Sequence, residues 1–378
     1  MNVLLVIPSN IGTIASVSFN LYRGLCNQKN LTVYVACLGE YRDEGFKFDN
    51  LYKLGERNHG ISKILSRVFE LKKIKKERNI DISIATLLGA IYWNVLSGIG
   101  EKKIGLFHTR LSQQKYYGRL NYWIHYLADK FLCERLDKMI AVNKSAYCDL
   151  NKLHKKKSGI SLVYNTHNFD EIRNLSQEKM ENEFEQELFK HQTILYVGSL
   201  NSNIKGTDRL LRSFVRVHEI YPTYKLVYVG GDVDGSLASL EDNVEKFGLS
   251  DSVYFLGCKR NPYKYMKSAD LLVSPSRDEG LPGVIIESLS LGTKVVATNS
   301  SMGIWEIMQC DKQYDESLDK LYETSFGFIT PNILDDEDKT VDYLSQGICK
   351  CIEKEYNIKV LFDKSRFSEE SVIPHFIK

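Results

Sequence analysis

The sequence predicts an α/β protein built from two doubly wound, Rossmann-like domains facing a cleft. At 378 residues the chain is too long for one ordinary core and fits two domains of normal size. Short apolar runs alternate with helical segments over 3–142 and again from 193, the pattern of parallel sheets covered by helices. Residues 271–299 form a complete strand–loop–helix–strand unit, with the loop at the carboxyl end of its first strand, where open α/β sheets bind ligands. The expected division is 1–172, 173–355 and a C-terminal helix, 356–378, packing back on the first domain.

In the first half, residues 3–7 read as a buried strand leading through Ser9-Asn10-Ile11-Gly12-Thr13 into a helix over about 15–28. Strands follow at 31–37, 82–85 and 103–107, the last ending at His108, and 138–142 is expected to be the last strand of this half. The run Lys72-Lys73-Ile74-Lys75-Lys76 reads as a solvated helix face, and Lys155-Lys156-Lys157 as basic surface in a turn. Between them, 110–137 mixes Arg110, Lys115, Arg119 and Lys130 with Tyr116, Tyr117, Tyr122, Trp123, Tyr126 and Phe131. Such a stretch suits peripheral contact with a membrane interface, over 110–131, or a helix packing its aromatics into the core.

A short strand at 162–165 leads to Asn168-Phe169-Asp170, and the acidic piece 176–190 reads as a connector. The second series has strands at 193–197, 225–229, 253–256, 271–273 and 294–297, with helices at 207–220, 236–247 and 284–291. Pro282 suits the first turn of the last of these helices, and Gly292 ends it. Residues 311–324 are acidic and weakly patterned, as for a surface excursion, and the tail from 340 is mostly helical.

Within 271–299, Glu279 lies in the loop and Glu287 about one turn into the helix. Gly280 and Gly283 allow close backbone approach, and the open amides of a helix start can hold an anion. Carboxylates for sugar hydroxyls beside amides for phosphate would suit a nucleotide sugar, although two Glu at this spacing also occur by chance on a solvated loop and helix.

Composition narrows the rest. A formal charge of +2 excludes a strongly basic nucleic-acid binder overall, so no nucleic-acid partner is expected. The eight cysteines, with no CxxC pair and no metal-ligand spacing, read as reduced thiols. No apolar run is long enough to span a bilayer, and residues 1–8 are too short for a signal peptide. The expectation is a cytoplasmic protein, or one bound peripherally to the inner face of the plasma membrane.

Leu195-Tyr196-Val197-Gly198-Ser199-Leu200, followed by Lys205-Gly206-Thr207-Asp208-Arg209-Leu210-Leu211, sets a glycine turn after a strand and a lysine before the next helix. That is a plausible diphosphate cradle. With Phe255-Leu256-Gly257, Asn261-Pro262-Tyr263, Ala269-Asp270 and the 271–299 unit, this series resembles the family-4 retaining glycosyltransferases, which have the GT-B fold. The likeness spans most of 193–307 in order and spacing. His108, Val163-Tyr164-Asn165 with Asp170, and Arg366-Phe367-Ser368 are similar to further family landmarks, and the N-terminal half otherwise matches in outline only.

The resemblance implies roles. Glu287 would bind the ribose hydroxyls, and Glu279 would contact the donor sugar near the transferred carbon. Gly280, Leu281, Gly283 and Val284 would offer backbone amides to sugar and phosphate, and Lys205 would neutralise the leaving diphosphate. Gly257 to Arg260 would line the base, His108 would face the reacting sugar, and the Gly12–Thr13 loop would abut the acceptor. Three positions depart from the family pattern: Ser199 stands where Arg is usual, Gly12 lacks its usual glycine neighbour, and the segment after Glu306 is long and acidic. Either Lys205 suffices for the missing charge, or Arg209 or Arg260 reaches in, or activity is weak.

The implied activity is retaining transfer of a hexosyl residue from a nucleoside-diphosphate sugar, by family frequency UDP-linked, to a saccharide acceptor. A lipid-linked precursor of bacterial capsule or O-antigen fits best. No metal or other cofactor is expected, because Lys205 and a helix start can replace a cation. A dinucleotide-dependent oxidoreductase would need GxGxxG after a strand, and neither Gly12 nor Gly230-Gly231 completes it. The remaining alternative is a non-catalytic subunit of the same fold that binds a nucleotide sugar or a partner enzyme.

Overall fold

The computed structural model describes residues 1–39, 41–43, 45–54, 61–108, 119–154 and 159–377, the side chains of 13, 61–64 and 119–125 aside. The chain divides into two compact units, 1–168 with 365–378, and 169–364.

The first unit is a seven-stranded parallel sheet. Its strands are β1 (Asn2–Ile7), β2 (Thr32–Cys37), β3 (Leu51–Lys53), β4 (Ile82–Thr86), β5 (Lys102–Phe107), β6 (Lys138–Ala141) and β7 (Ile160–Leu162). They lie in the order β3-β2-β1-β4-β5-β6-β7, so the topology reverses between β1 and β4. Helices α1 (Gly12–Cys26), α2 (Ile61–Glu77), α3 (Leu88–Leu96), α4 (Arg119–Leu132) and α5 (Lys144–Leu153) cover it. The apolar run of β1 is buried on both faces, which explains why it does not alternate. Val3, Leu5 and Ile7 pack with Leu21 and Leu25 of α1, while Leu4 and Val6 pack with Leu71, Ile91 and Leu150 of α2, α3 and α5.

The second unit repeats the plan. Helices α6 (Phe169–Leu175) and α7 (Glu183–Leu188) precede β8 (Thr193–Val197), α8 (Ser202–Lys205), α9 (Thr207–Ile220), β9 (Lys225–Val229), α10 (Ser236–Lys246), β10 (Val253–Phe255) and α11 (Tyr263–Ser268). Then come β11 (Leu271–Ser274), α12 (Gly283–Leu291), β12 (Lys294–Thr298), α13 (Met302–Ile307), β13 (Tyr322–Thr324), β14 (Gly327–Thr330), α14 (Glu337–Ile352) and α15 (Ile358–Leu361). The order is β10-β9-β8-β11-β12-β14-β13, parallel except for the antiparallel edge strand β13, with the reversal between β8 and β11.

Several expectations need correction. The last strand of the first sheet is β7, not 138–142, and it takes up 160–162 rather than 162–165. The unit boundaries fall after Asn168 and Lys364, not after 172 and 355. Residues 176–190 lie within the second unit rather than connecting the two, mostly exposed but anchored by buried Glu185, which accepts from Tyr265 Oη at 2.6 Å and Lys259 Nζ at 2.8 Å. The segment from 365 returns to the first unit because Val372, Ile373 and Phe376 bury themselves against α1, where a Cβ on Gly24 would meet Ile373 Cδ1 at 2.5 Å. Nor is 311–324 wholly a surface excursion, since it buries Leu318 and ends in β13.

Candidate functional site

Most of the expected donor-binding residues gather at the carboxyl ends of β8 and β11, the pair between which the second sheet reverses. That crevice is where open α/β sheets hold ligands. After β8 the chain turns at Gly198, whose carbonyl lies so close to Gly230 that an added Cβ there would sit 1.6 Å away. Tyr196 Oη donates to the Ser199 carbonyl at 2.8 Å, fixing the turn. Asn201 caps α8 by accepting from the Ile204 amide at 2.8 Å, and Gly206 ends it in the left-handed region at φ 64°. A Cβ on Gly206 would meet the Pro275 carbonyl at 2.3 Å, so this turn rests directly on the loop that follows β11.

The close approach brings Lys205 and Glu279 together. Lys205 Nζ donates to Glu279 Oε1 at 2.7 Å, and Ser276 Oγ donates to the same oxygen at 2.8 Å. Both side chains of the pair stay partly accessible, 23% and 13%. Pro282 proves to be the N-cap residue rather than part of the first turn, and α12 starts at Gly283 with no side-chain cap. Its leading amides, Gly283 and Val284 among them, are therefore open to an acceptor atom. Leu281 is buried, and the Gly280 carbonyl accepts from Ser301 Oγ at 3.2 Å. Glu287, on the second turn of α12, is raised by burial to about 7.

Gly257 adopts φ 70° on an exposed turn, and its carbonyl accepts from the Gly230 amide at 2.9 Å. Arg260 is exposed and makes no hydrogen bond or ion pair with a described residue. Arg209 cannot supply the charge absent at Ser199: it is fully buried, with its guanidinium on Glu337 and Asn332. Reasoning from sequence missed Ser276 and Arg277. Both stand in the loop already singled out for Glu279, but their partners could not be read from it.

In the first unit, His108 directly follows β5, buried, with Nε2 unpartnered among the described residues. Burial lowers its imidazole to about 4, so it is neutral at pH 7. Gly12 opens α1 at φ 80° with no atom within 4 Å of an added Cβ, and the Thr13 side chain lies outside the described residues. Of the basic–aromatic stretch, 110–118 and the side chains of Arg119, Tyr122 and Trp123 lie outside them too, as does Lys155-Lys156-Lys157. The described part of α4 exposes Leu127 and Phe131, and α2 exposes Leu65 and Phe69. Lys72 and Lys76 continue that exposed face of α2. Among the described residues no helix is long and apolar enough to cross a membrane.

Residues 191–318 match the family model described as glycosyl transferases group 1. An uncharacterized glycosyltransferase of Methanocaldococcus jannaschii is 30% identical over 280 residues, which cover 71% of this chain and 68% of that one. A Campylobacter jejuni N-acetylgalactosamine-N,N'-diacetylbacillosaminyl-diphospho-undecaprenol 4-alpha-N-acetylgalactosaminyltransferase is 31% identical over 147 residues, 39% of this chain and 37% of its own. Among solved structures, Anabaena HepE in complex with UDP and glucose superposes with a TM-score of 0.74 at 15% identity, covering 99% of this chain and 98% of that one. At that identity the likeness is one of fold.

Proposed function

We propose, from the premise that the chain belongs to the glycosyl transferases of group 1, that it moves a hexosyl residue from a nucleoside-diphosphate sugar to a lipid-linked saccharide. Its two parallel-sheet α/β domains are of GT-B type, and it is an enzyme of glycosyl transfer. The observation that carries the finer reading is the cluster at the second sheet's reversal: a lysine, a loop carboxylate and an open helix start, with Glu287 one turn further on. Cation and amides suit a diphosphate, and the carboxylates suit hydroxyls of sugar and ribose. UDP is the favoured carrier, in line with the UDP seen in HepE.

In the proposed reaction the acceptor oxygen bonds to the anomeric carbon as the bond from that carbon to the diphosphate breaks. The acceptor proton passes to the departing phosphate oxygen, so the products are the glycoside and the nucleoside diphosphate. Attack from the face the leaving group vacates retains the configuration. Charge develops on the phosphate, so Lys205 and the first amides of α12 contribute most there, without a metal ion. Lys205 would leave Glu279 for the diphosphate, freeing the Glu279 carboxylate for the sugar. His108, neutral with its buried Nε2 unpartnered, would hydrogen-bond a substrate hydroxyl.

The acceptor class rests on the Campylobacter relative, whose name specifies a diphospho-undecaprenol substrate. Exposed Leu127 and Phe131 on α4, and Leu65 and Phe69 beside Lys72 and Lys76 on α2, support peripheral contact with an anionic membrane. The test is transfer of labelled hexose from a panel of nucleotide sugars to undecaprenyl-diphosphate saccharides, with the product's anomeric configuration read by NMR and EDTA present in one arm. Transfer only to soluble acceptors, an inverted product, or loss of turnover in EDTA would each refute the corresponding part.

A further inference from the structure

We infer that Arg277 is the positioning residue of the donor site, holding the turn that carries Lys205 in register with the loop that carries Glu279. Arg277 lies two residues before Glu279 and is assigned no contact with the donor. Its guanidinium forks onto Asp208, Nη1 to Oδ1 and Nη2 to Oδ2 at 3.1 Å each, while Nε reaches Glu337 Oε1 at 3.2 Å. Nη1 also donates to the Ser202 carbonyl, and the Arg277 amide donates to the Ile204 carbonyl at 2.8 Å. Ser202 and Ile204 belong to α8, the turn that ends in Lys205. One residue therefore grips the lysine's turn twice, from within the loop of its carboxylate partner.

The grip is anchored behind. Glu337, at the start of α14, also accepts from buried Arg209, through Nη2 at 2.6 Å and through Nε. Asn332 closes the ring, accepting from Arg209 Nη1 at 2.8 Å and donating through Nδ2 to the Arg277 carbonyl at 2.9 Å. Burial alone would raise the Glu337 carboxyl, but Arg209 and Arg277 hold it below its usual value, so the network stays ionised at neutral pH. A lysine at 277 would be a point charge unable to span Asp208, Glu337 and the Ser202 carbonyl together.

This inference rests on the donor-site reading above, in which Lys205 meets the diphosphate, of which a monophosphate keeps only the phosphate next to the ribose. The test compares binding of UDP and UMP, with the GDP/GMP and ADP/AMP pairs alongside, by calorimetry on the full chain. Arg277→Lys is expected to weaken diphosphate binding about tenfold, the size of one charged hydrogen bond, and to leave the monophosphate within about twofold. Combined with Lys205→Met it should add no further loss, because Arg277 acts through Lys205. Asp208→Asn removes one arm of the grip and should give a smaller loss of the same kind, even if the Arg277 variant folds poorly. Equal losses for diphosphate and monophosphate, losses that add to those of Lys205→Met, or no loss at all would overturn it. Glu287→Ala separates the two readings: if it leaves both nucleotides bound, or if the wild type binds none, the donor site itself is wrong and this inference falls with it.

Discussion

Lys205 Nζ donates to Glu279 Oε1 at 2.7 Å, so the two side chains proposed to serve opposite ends of the transferred bond are each other's counter-ions. On the proposed reading, donor binding exchanges this pair for substrate contacts. Glu279→Gln, which frees the lysine while removing the carboxylate, is expected to bind nucleoside diphosphate at least as tightly as wild type. Transfer should fall by on the order of a hundredfold or more, as for loss of one electrostatic contact at the reacting centre. Calorimetry beside single-turnover kinetics measures both. A parallel loss of binding and transfer would show that the pair is structural instead.

Glu287 is expected to trade stability for binding. Burial holds its carboxyl near 7. Between the usual carboxylate value and 7 the folded protein keeps a proton that the unfolded chain has lost, so this group lowers stability as pH rises through that window. Glu287→Gln should therefore stabilise the ligand-free protein at pH 8, by on the order of 1–3 kcal/mol, and weaken nucleotide binding. Denaturant titrations at pH 5 and 8 check this, since the gain should shrink at the lower pH.

His108 works in the opposite direction. With its imidazole lowered to about 4, the unfolded chain takes up a proton first as pH falls below about 6.5. Stability from this group is thus lost on acidification between those values. His108→Asn should flatten that part of the pH–stability curve. On the proposed reading, in which the unpartnered Nε2 serves a substrate hydroxyl, it should also reduce turnover by about tenfold to a hundredfold, with nucleotide affinity unchanged.

Ser199 stands where the resemblance implies a cation, and buried Arg209 does not replace it. Ser199 is half-buried on the Gly198 turn. Ser199→Arg is expected to tighten nucleoside diphosphate binding by about tenfold, as for one added charge-assisted hydrogen bond, with a steeper salt dependence. Unchanged affinity would place the phosphates away from this turn.

The central strands and the site loop were legible because their chemistry is local. Strands covered on both faces become unbroken apolar runs, as from Leu226 to Val229 in β9, and Gly292 ends α12 at φ 91° as its position suggested. Three-residue β3, partly exposed, carries too little pattern to be seen, and α3 begins after Leu87, a leucine at φ 69° that no propensity would place there. The fate of Arg209 was equally hidden. The sequence leaves Arg209 available to reach toward Ser199, but its partner Glu337 lies 128 residues further along the chain. Pairings at that separation are set by the packing of α9 on α14, so the ring around Arg277 emerges only in three dimensions.

The most direct test of the donor-site assignment is thermal unfolding of the purified chain with UDP, GDP, ADP and their common sugars, with and without EDTA, alongside Glu287→Ala. A ligand that binds only the folded state raises the midpoint once its concentration exceeds the dissociation constant. The account predicts that one nucleotide family raises it, that EDTA makes no difference, and that Glu287→Ala abolishes the effect. No shift with any nucleotide, or an equal shift in Glu287→Ala, would contradict it.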